Sequence, residues 1–184
     1  DAFPVIVRDA KALGALFGVS AARDVLGARV ERGDLDASSR DVLTRALLGA
    51  LEHSDGDVRA FAAQMLVTRL ADDVRHIVDR SSALALARDE NEAKVTVAAF
   101  ILADIPEAHR ELGLERVGAL ARSSSLVLRG FALTILAHAD VQRDDVVAAW
   151  VAVAEGDFAD ASARAREVLR GLSCLTADTF PLVM

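Results

Sequence analysis

The sequence predicts an all-α protein, folded as an α-α superhelix (solenoid) of five antiparallel helix pairs. The chain has 184 residues, of which 53% are apolar, and it contains only three Pro and no Tyr. Basic residues recur every 35 positions, at Arg59, Lys94, Arg129 and Arg164, and each follows an apolar residue. A fixed period of this length is typical of stacked helix-turn-helix units. The composition and the period together favour helices throughout.

Helix start and stop signals order the first two pairs. Pro4 suits a first helical turn, Gly18 a helix end, Ser20 an N-cap and Gly33 the end of the second helix. In the second pair, Ser38 with Asp41 resembles a capping box. The predicted pairs are 4–17 with 20–32, 38–53 with 57–70, 73–88 with 91–104, 107–122 with 125–138, and 141–155 with 159–172.

The later pairs are bounded by polar turns and one proline. The third pair begins at Asp72–Asp73 and turns at 88–91, and Pro106 ends that pair and begins the fourth. Ser123–Ser125 forms the turn of the fourth pair, and Gly156–Asp157 the turn of the fifth. We expect residues 1–172 to form a single repeat domain, with 173–184 as a tail or a link to a further segment.

Core positions repeat with the same period. Met65 aligns with Phe100 and Ile135, and Leu66 aligns with Ile101 and Leu136. The fifth pair departs from this register, because Arg170 and Gly171 fall where core residues are expected. Either a shift of one or two residues applies there, or the pair is a terminal cap of the kind that repeat arrays require.

One segment has a recognisable pattern. Residues 54–66, SDGDVRAFAAQML, combine an acidic turn with Val-Arg and then with Ala and Leu at helical spacing. Residues 126–136 repeat this pattern without the acid, and the pairs at 93–94 and 163–164 are weaker copies. The pattern resembles the HEAT-like repeats of the armadillo superfamily, over residues 38–172.

The resemblance implies a ladder of ion pairs. In such repeats the acid of a turn pairs with the basic residue at the start of the second helix and ties the turns together. Arg129 lacks an acid in its own turn and needs another partner. The implied pairs are Asp55 or Asp57 with Arg59, Glu90 or Glu92 with Lys94, and Asp157 or Asp160 with Arg164.

Charge and cysteine usage narrow the class of partner. The chain carries 21 basic and 28 acidic residues, a net charge of −7, which disfavours binding to nucleic-acid phosphates. The longest apolar run, residues 146–154, is too short to span a membrane. Cys174 is the only cysteine, so no internal disulfide can form. We expect a cytoplasmic protein, although a secreted domain without disulfides would have the same cysteine content. We expect neither a nucleic-acid nor a membrane partner.

No motif predicts catalysis. The four His residues are never at metal-ligand spacing, and no nucleophile elbow, dinucleotide fingerprint or phosphate-binding loop is present. We therefore expect no metal, no cofactor and no catalytic residue.

The second helices carry a stripe of small and apolar residues outside the core positions. In a solenoid such a stripe lines the concave face, where an apolar or helical protein segment would bind. Tight curvature that buries the stripe is the alternative. The predicted binding residues are Gln64, Thr68, Ala99, Thr134 and His138. Trp150, in a helix apolar nearly all round, is either covered by neighbouring helices or part of a surface for a partner or for self-association.

These features predict a non-enzymatic protein-interaction or scaffold module. Two enzymatic alternatives remain among HEAT-like proteins: those resembling alkylpurine DNA glycosylases, which use a basic concave channel, aromatic residues and a catalytic Asp, and those resembling bilin lyases. A third alternative is a regulatory segment of a larger protein, which a chain beginning at Asp1 without Met favours.

Overall fold

The computed structural model describes residues 17–103, 105, 107–141 and 143–172, apart from the side chain of His109. Within these residues it contains eleven helices and no strand, so the predicted all-α class is confirmed for the described part of the chain. Most of the predicted helix 4–17, together with Pro106, Cys174 and the tail 173–184, lies outside the described residues.

The chain divides into two compact units, Asp1–Ile101 and Leu102–Met184. Each unit is built from short helices joined by tight turns. The single domain predicted over 1–172 stays a prediction. In unit 1 the helices are α1 (Ser20–Arg32), α2 (Ala37–Ala50), α3 (Gly56–Thr68), α4 (Ala71–Ile77), α5 (Arg80–Ala87) and α6 (Glu92–Leu102). In unit 2 they are α7 (Ala108–Leu112), α8 (Leu114–Ala121), α9 (Leu126–Ala137), α10 (Asp144–Ala154) and α11 (Ala159–Gly171).

Unit 1 is organised around the hairpin of α2 and α3, on which α4 packs. Its core includes Leu43, Leu47, Val58 and Leu66, all without solvent exposure. Gly33 ends α1 with φ 71°, which only a residue without Cβ adopts readily, so the predicted helix end is confirmed.

Two predicted N-caps are displaced. Val19 is the N-cap of α1 in place of Ser20, and it forms no side-chain cap bond. Asp36 caps α2 by accepting a hydrogen bond of 2.7 Å from the Ser39 backbone N–H, so the expected capping box of Ser38 is absent. The Asp36 carboxylate satisfies one of the free N–H groups of the first turn, which leaves no such role for Ser38.

Two of the predicted long helices are each split into two short ones. The predicted helix 73–88 is α4 and α5, and Asp79 caps α5 by accepting a hydrogen bond from the Ser82 backbone N–H at 2.7 Å. This bond lowers the pKa of the Asp79 carboxyl. The predicted helix 107–122 is α7 and α8, because Gly113 between them has φ 82°, which is incompatible with a right-handed helix.

Unit 2 stacks two hairpins in two layers. Helix α8 pairs with α9, and α10 pairs with α11. Across the hairpins, first helix packs on first helix (α8 on α10) and second on second (α9 on α11). Leu136, Trp150 and Leu169 are among the largest fully buried side chains of this unit.

The fifth pair follows the fourth with a two-residue shift from the 35-residue period. Helix α9 begins at Leu126 and α11 at Ala159, a spacing of 33 residues. The buried Leu136 of α9 therefore corresponds to the buried Leu169 of α11, while Arg170 and Gly171 are exposed. The predicted departure from register is confirmed as a shift, and it restores an apolar core position.

Candidate binding surface

A backbone hydrogen bond gives a common register to five of the described helices, α1, α3, α6, α9 and α11, which the sequence predicts to be the second helices of their pairs. In each of them, the fourth residue of the helix donates its N–H to the carbonyl of the residue that precedes the helix. We call this residue the ladder position. The ladder positions are Arg23, Arg59, Val95, Arg129 and Ser162. Their spacings of 36, 36, 34 and 33 residues follow from these numbers and vary around the predicted 35.

Arginines at the ladder position hold the carbonyls of the preceding turn. Arg59 donates from Nη1 to the carbonyl oxygens of His53 and Ser54, at 2.8 and 2.9 Å. Arg129 donates from the same atom to the carbonyls of Ser123 and Ser124, both at 2.8 Å. Both arginines thus reach back six and five residues. The bonds satisfy turn carbonyls, which lie beyond the end of the preceding helix and have no partner in its hydrogen-bond ladder.

Arg23 belongs to the same set, although the sequence pattern missed it. Its Nη1 donates to the Phe17 carbonyl at 2.7 Å, again six residues back. Arg23 lies 36 residues before Arg59, so a fixed period of 35 does not include it. A search that tolerated one residue of slip could have found it.

The ion pairs differ from those that the resemblance implies. No ion pair joins Arg59 to Asp55 or Asp57 among the described residues, since Asp55 instead accepts a hydrogen bond from the Asp57 backbone N–H and caps α3. Arg129 obtains its acid from the next hairpin, where its Nε lies 3.1 Å from Oδ2 of Asp160. Its guanidinium also lies 4.2 Å from the centre of the Phe158 ring.

Lys94 lies one residue before the ladder position and pairs differently. Its Nζ lies 2.8 Å from Asp89 and 2.6 Å from Glu52, rather than near Glu90 or Glu92. The hydrogen bond to Asp89, followed by that to Glu52, raises the pKa of the Lys94 ammonium, and the Lys94 bond lowers the pKa of the Asp89 carboxyl. The long flexible stem of Lys94 lets a residue outside the register reach these acids.

Arg164 does not take part in the ladder. Its side chain is exposed and pairs with Glu167 on the same helix at 2.6 Å. The ladder position of the last hairpin is Ser162, whose hydroxyl oxygen lies 2.9 Å from the carbonyl oxygens of both Ala154 and Gly156, so its single proton is shared between these two acceptors. A buried serine therefore replaces the arginine in this turn.

The predicted stripe is exposed on α3 and α9 and buried on α6. Gln64, Thr68, Thr134 and His138 are exposed, whereas Ala99 is only 3% exposed. The cause is the one-residue slip between Arg59 and Lys94. Each residue turns a helix by about 100°, so a register that is wrong by one residue moves a surface position into the core. The partner-binding role expected for Ala99 is corrected accordingly.

Phe100 takes the place in α6 that corresponds to Gln64 and Thr134, nine residues into each helix. It is half-buried, and the Arg75 guanidinium lies 4.3 Å from its ring centre. Cation–π contact of this kind favours Arg over other cations. The 35-residue period predicts a core position for Phe100, because it places Phe100 in register with Met65.

The threonines of the stripe bond to their own helices. The hydroxyl of Thr68 donates to the Gln64 carbonyl at 2.7 Å, and that of Thr134 donates to the Gly130 carbonyl at 2.9 Å. Nδ1 of His138 lies 2.8 Å from the Thr134 carbonyl oxygen. These internal bonds occupy both threonine hydroxyl protons and one ring nitrogen of His138.

Helix α9 presents an exposed face without a charged residue. Leu126 and Val127 are 67% and 58% exposed, which makes them the most exposed large apolar side chains among the described residues. The single charged residue of the helix, Arg129, is buried. Surface helices normally carry charged residues on the solvent side. The exposed residues of this face are Leu126, Val127, Gly130, Thr134, Ala137 and His138.

Trp150 is fully buried within unit 2, so it is not available as a partner surface in this structure. Of the two interpretations expected for Trp150, its burial supports the first, in which neighbouring helices cover it. Its indole Nε1 has no hydrogen-bond partner among the described residues.

The described residues contain no group of three His, Cys, Asp or Glu side chains that could hold a metal ion. None of the described helices combines the length and the apolar character needed to cross a membrane. No protein-family model matches the chain, and no curated protein or solved structure is similar enough to count as a match.

Proposed function

We propose that this protein is a non-enzymatic protein-interaction module built from HEAT-like helical repeats, and that the exposed face of α9 binds its protein partner. The observation that carries this proposal is the uncharged face itself, with Leu126 and Val127 more than half exposed. Exposed apolar side chains that lie together on a surface are typical of interaction sites.

The repeat interpretation is supported by the two-layer stacking of hairpins in unit 2 and by the recurring arginine bonds to turn carbonyls. Repeat proteins bury a continuous core by stacking such units and recognise partners over an extended surface. The polar groups on the α9 face, Thr134 and His138, are engaged with the backbone. The surface therefore suits an apolar partner segment better than a phosphate or a sugar.

The test compares two matched variants, Val127→Asp on the α9 face and Val25→Asp on α1, where Val25 is 49% exposed. Both are exposed valines, so each change should leave the free energy of unfolding within about 0.5 kcal/mol. Each tagged variant is used to purify partners from its native host, with quantitative mass spectrometry. We expect a protein that wild type and Val25→Asp recover and that Val127→Asp loses.

If wild type, Val25→Asp and Val127→Asp all recover the same proteins, the α9 face is not the binding surface. If the lost protein is a second copy of this chain, light scattering across a concentration series will show a mass that rises for wild type and stays monomeric for Val127→Asp. That outcome would identify the alternative of self-association through the same face.

A further inference from the structure

A cleft of about 220 Å³ lies between α8 and α10, within unit 2 and on the opposite helix layer from the α9 face. Its floor consists of small residues, Gly118 from α8 and Ala149 and Ala152 from α10. A Cβ added at Gly118 would meet no atom within 4 Å, so the space above this part of the floor is open. The remaining lining residues are Leu114, Glu115, Arg122 and Asp145.

Opposite charges mark the two ends of this cleft. Glu115 and Asp145 are each the second residue of their helix, whereas Arg122 directly follows α8. The Arg122 Cγ lies 3.6 Å from a Cβ placed on Gly156, just beyond the end of α10. The C-terminal ends of α8 and α10 therefore lie together, which places both carboxylates at the other end of the cleft. Seven residues of helix separate Glu115 from Arg122, about 10 Å at 1.5 Å per residue.

Glu115 and Arg122 remain able to bind a ligand. The Glu115 side chain forms no hydrogen bond or ion pair with any other described residue. Both carboxylate oxygens of Asp145 are already paired with Arg143, so Glu115 is the carboxylate of this end that can receive a ligand cation. Arg122 uses its Nε to donate to the Gly118 carbonyl at 3.2 Å, and a guanidinium has further N–H donors besides this one.

We propose that this cleft binds an extended peptide segment of a partner protein, with a Lys or Arg side chain at the Glu115 end and an Asp or Glu side chain at the Arg122 end. An extended chain advances about 3.3 Å per residue, so a distance of about 10 Å corresponds to three residues. The floor of glycine and alanine lets the peptide backbone approach closely, as only small residues permit. The charge pattern sets the direction in which the peptide lies.

The experiment selects peptides from a displayed library of random octapeptides against the wild-type protein, and then measures their affinities by fluorescence anisotropy. Ala152→Leu fills the cleft, and Ala148→Leu is the matched control because Ala148 is exposed on α10 and does not line the cleft. We expect the selected peptides to carry a basic and an acidic residue three positions apart. Their affinity should fall at least tenfold, about 1.4 kcal/mol, for Ala152→Leu and stay unchanged for Ala148→Leu.

A charge exchange decides the question if Ala152→Leu fails to fold. Glu115→Arg alone should abolish binding of the selected peptides, and Glu115→Arg with Arg122→Glu should restore it for peptides whose two charges are exchanged. Peptides without the charge pair, equal binding to the filled cleft, or no rescue by the double exchange would overturn the proposal. The α9 variant Val127→Asp leaves this cleft intact. A failure of the proposed α9 surface can therefore be distinguished from a failure of the peptide-binding cleft.

Discussion

Replacing Arg129 by Ala should destabilise unit 2 by about 2 to 3 kcal/mol. The side chain is 9% exposed and donates to two turn carbonyls, those of Ser123 and Ser124. Each lost bond costs about 1 kcal/mol, because water partly replaces it at the turn. Loss of the contact with the Phe158 ring adds about 0.5 to 1 kcal/mol. The ion pair with Asp160 adds little, since that carboxylate is 44% exposed.

The matched control is Arg164→Ala, which removes an arginine that the 35-residue period predicts to be equivalent. Arg164 makes only an exposed pair with Glu167, so its loss should change the unfolding free energy by a few tenths of a kcal/mol. Trp150 is the only tryptophan and is buried in unit 2, so its fluorescence during urea unfolding reports on the unit that contains both arginines.

At an m-value of about 2 kcal/mol per M, Arg129→Ala should lower the urea midpoint by about 1 to 1.5 M. Arg164→Ala should leave the midpoint within the error of the measurement. Equal shifts for the two variants would refute the assignment of the ladder to Arg129 and would restore the regular 35-residue period as the organising feature.

Three other expectations follow from burial and charge. Ala99→Glu should unfold unit 1, because it buries a carboxylate. Ala60→Glu, at an exposed position, should leave the circular dichroism spectrum unchanged. If both variants keep the wild-type spectrum, Ala99 lies at the surface. The hydrogen bond from Lys94 lowers the pKa of the Asp89 carboxyl, so this pair stabilises the fold above the unfolded pKa of ~3.9, and the stabilisation is lost as pH falls through the folded pKa. Asp89→Asn should therefore reduce the loss of unfolding free energy at acid pH, measured by urea titrations at a series of pH values. An unchanged dependence on pH would contradict the pairing. Duplex DNA should show no binding by anisotropy near ~150 mM salt, given the net charge of −7; submicromolar affinity there would favour the glycosylase-like alternative.

The 35-residue period predicts some of the ladder positions and misplaces others. The 35-residue period includes Arg59 and Arg129, which bind the carbonyls of their turns in the same way. It missed Arg23, and it assigned Lys94 to the position that Val95 occupies. A single period describes only the average length of a helix pair with its turns. The register of each helix depends on the actual length of the turn before it, which differs from pair to pair. An error of one residue turns the helix by about 100°, which is why Ala99 and Phe100 exchanged their expected environments.

The amino-acid sequence by itself determined the all-α class, the turns of most helix pairs and the buried faces of α3 and α9, because apolar spacing and capping residues act over a few neighbouring positions. The tertiary structure alone decided which acid pairs with which base. Arg129 reaches Asp160 across 31 residues, and Lys94 reaches Glu52 across 42. Such pairs depend on how separate helices pack, and no spacing rule within one helix encodes them. The cleft between α8 and α10 is of the same kind, since its floor combines Gly118 of α8 with Ala149 and Ala152 of α10, which come together only when two hairpins stack.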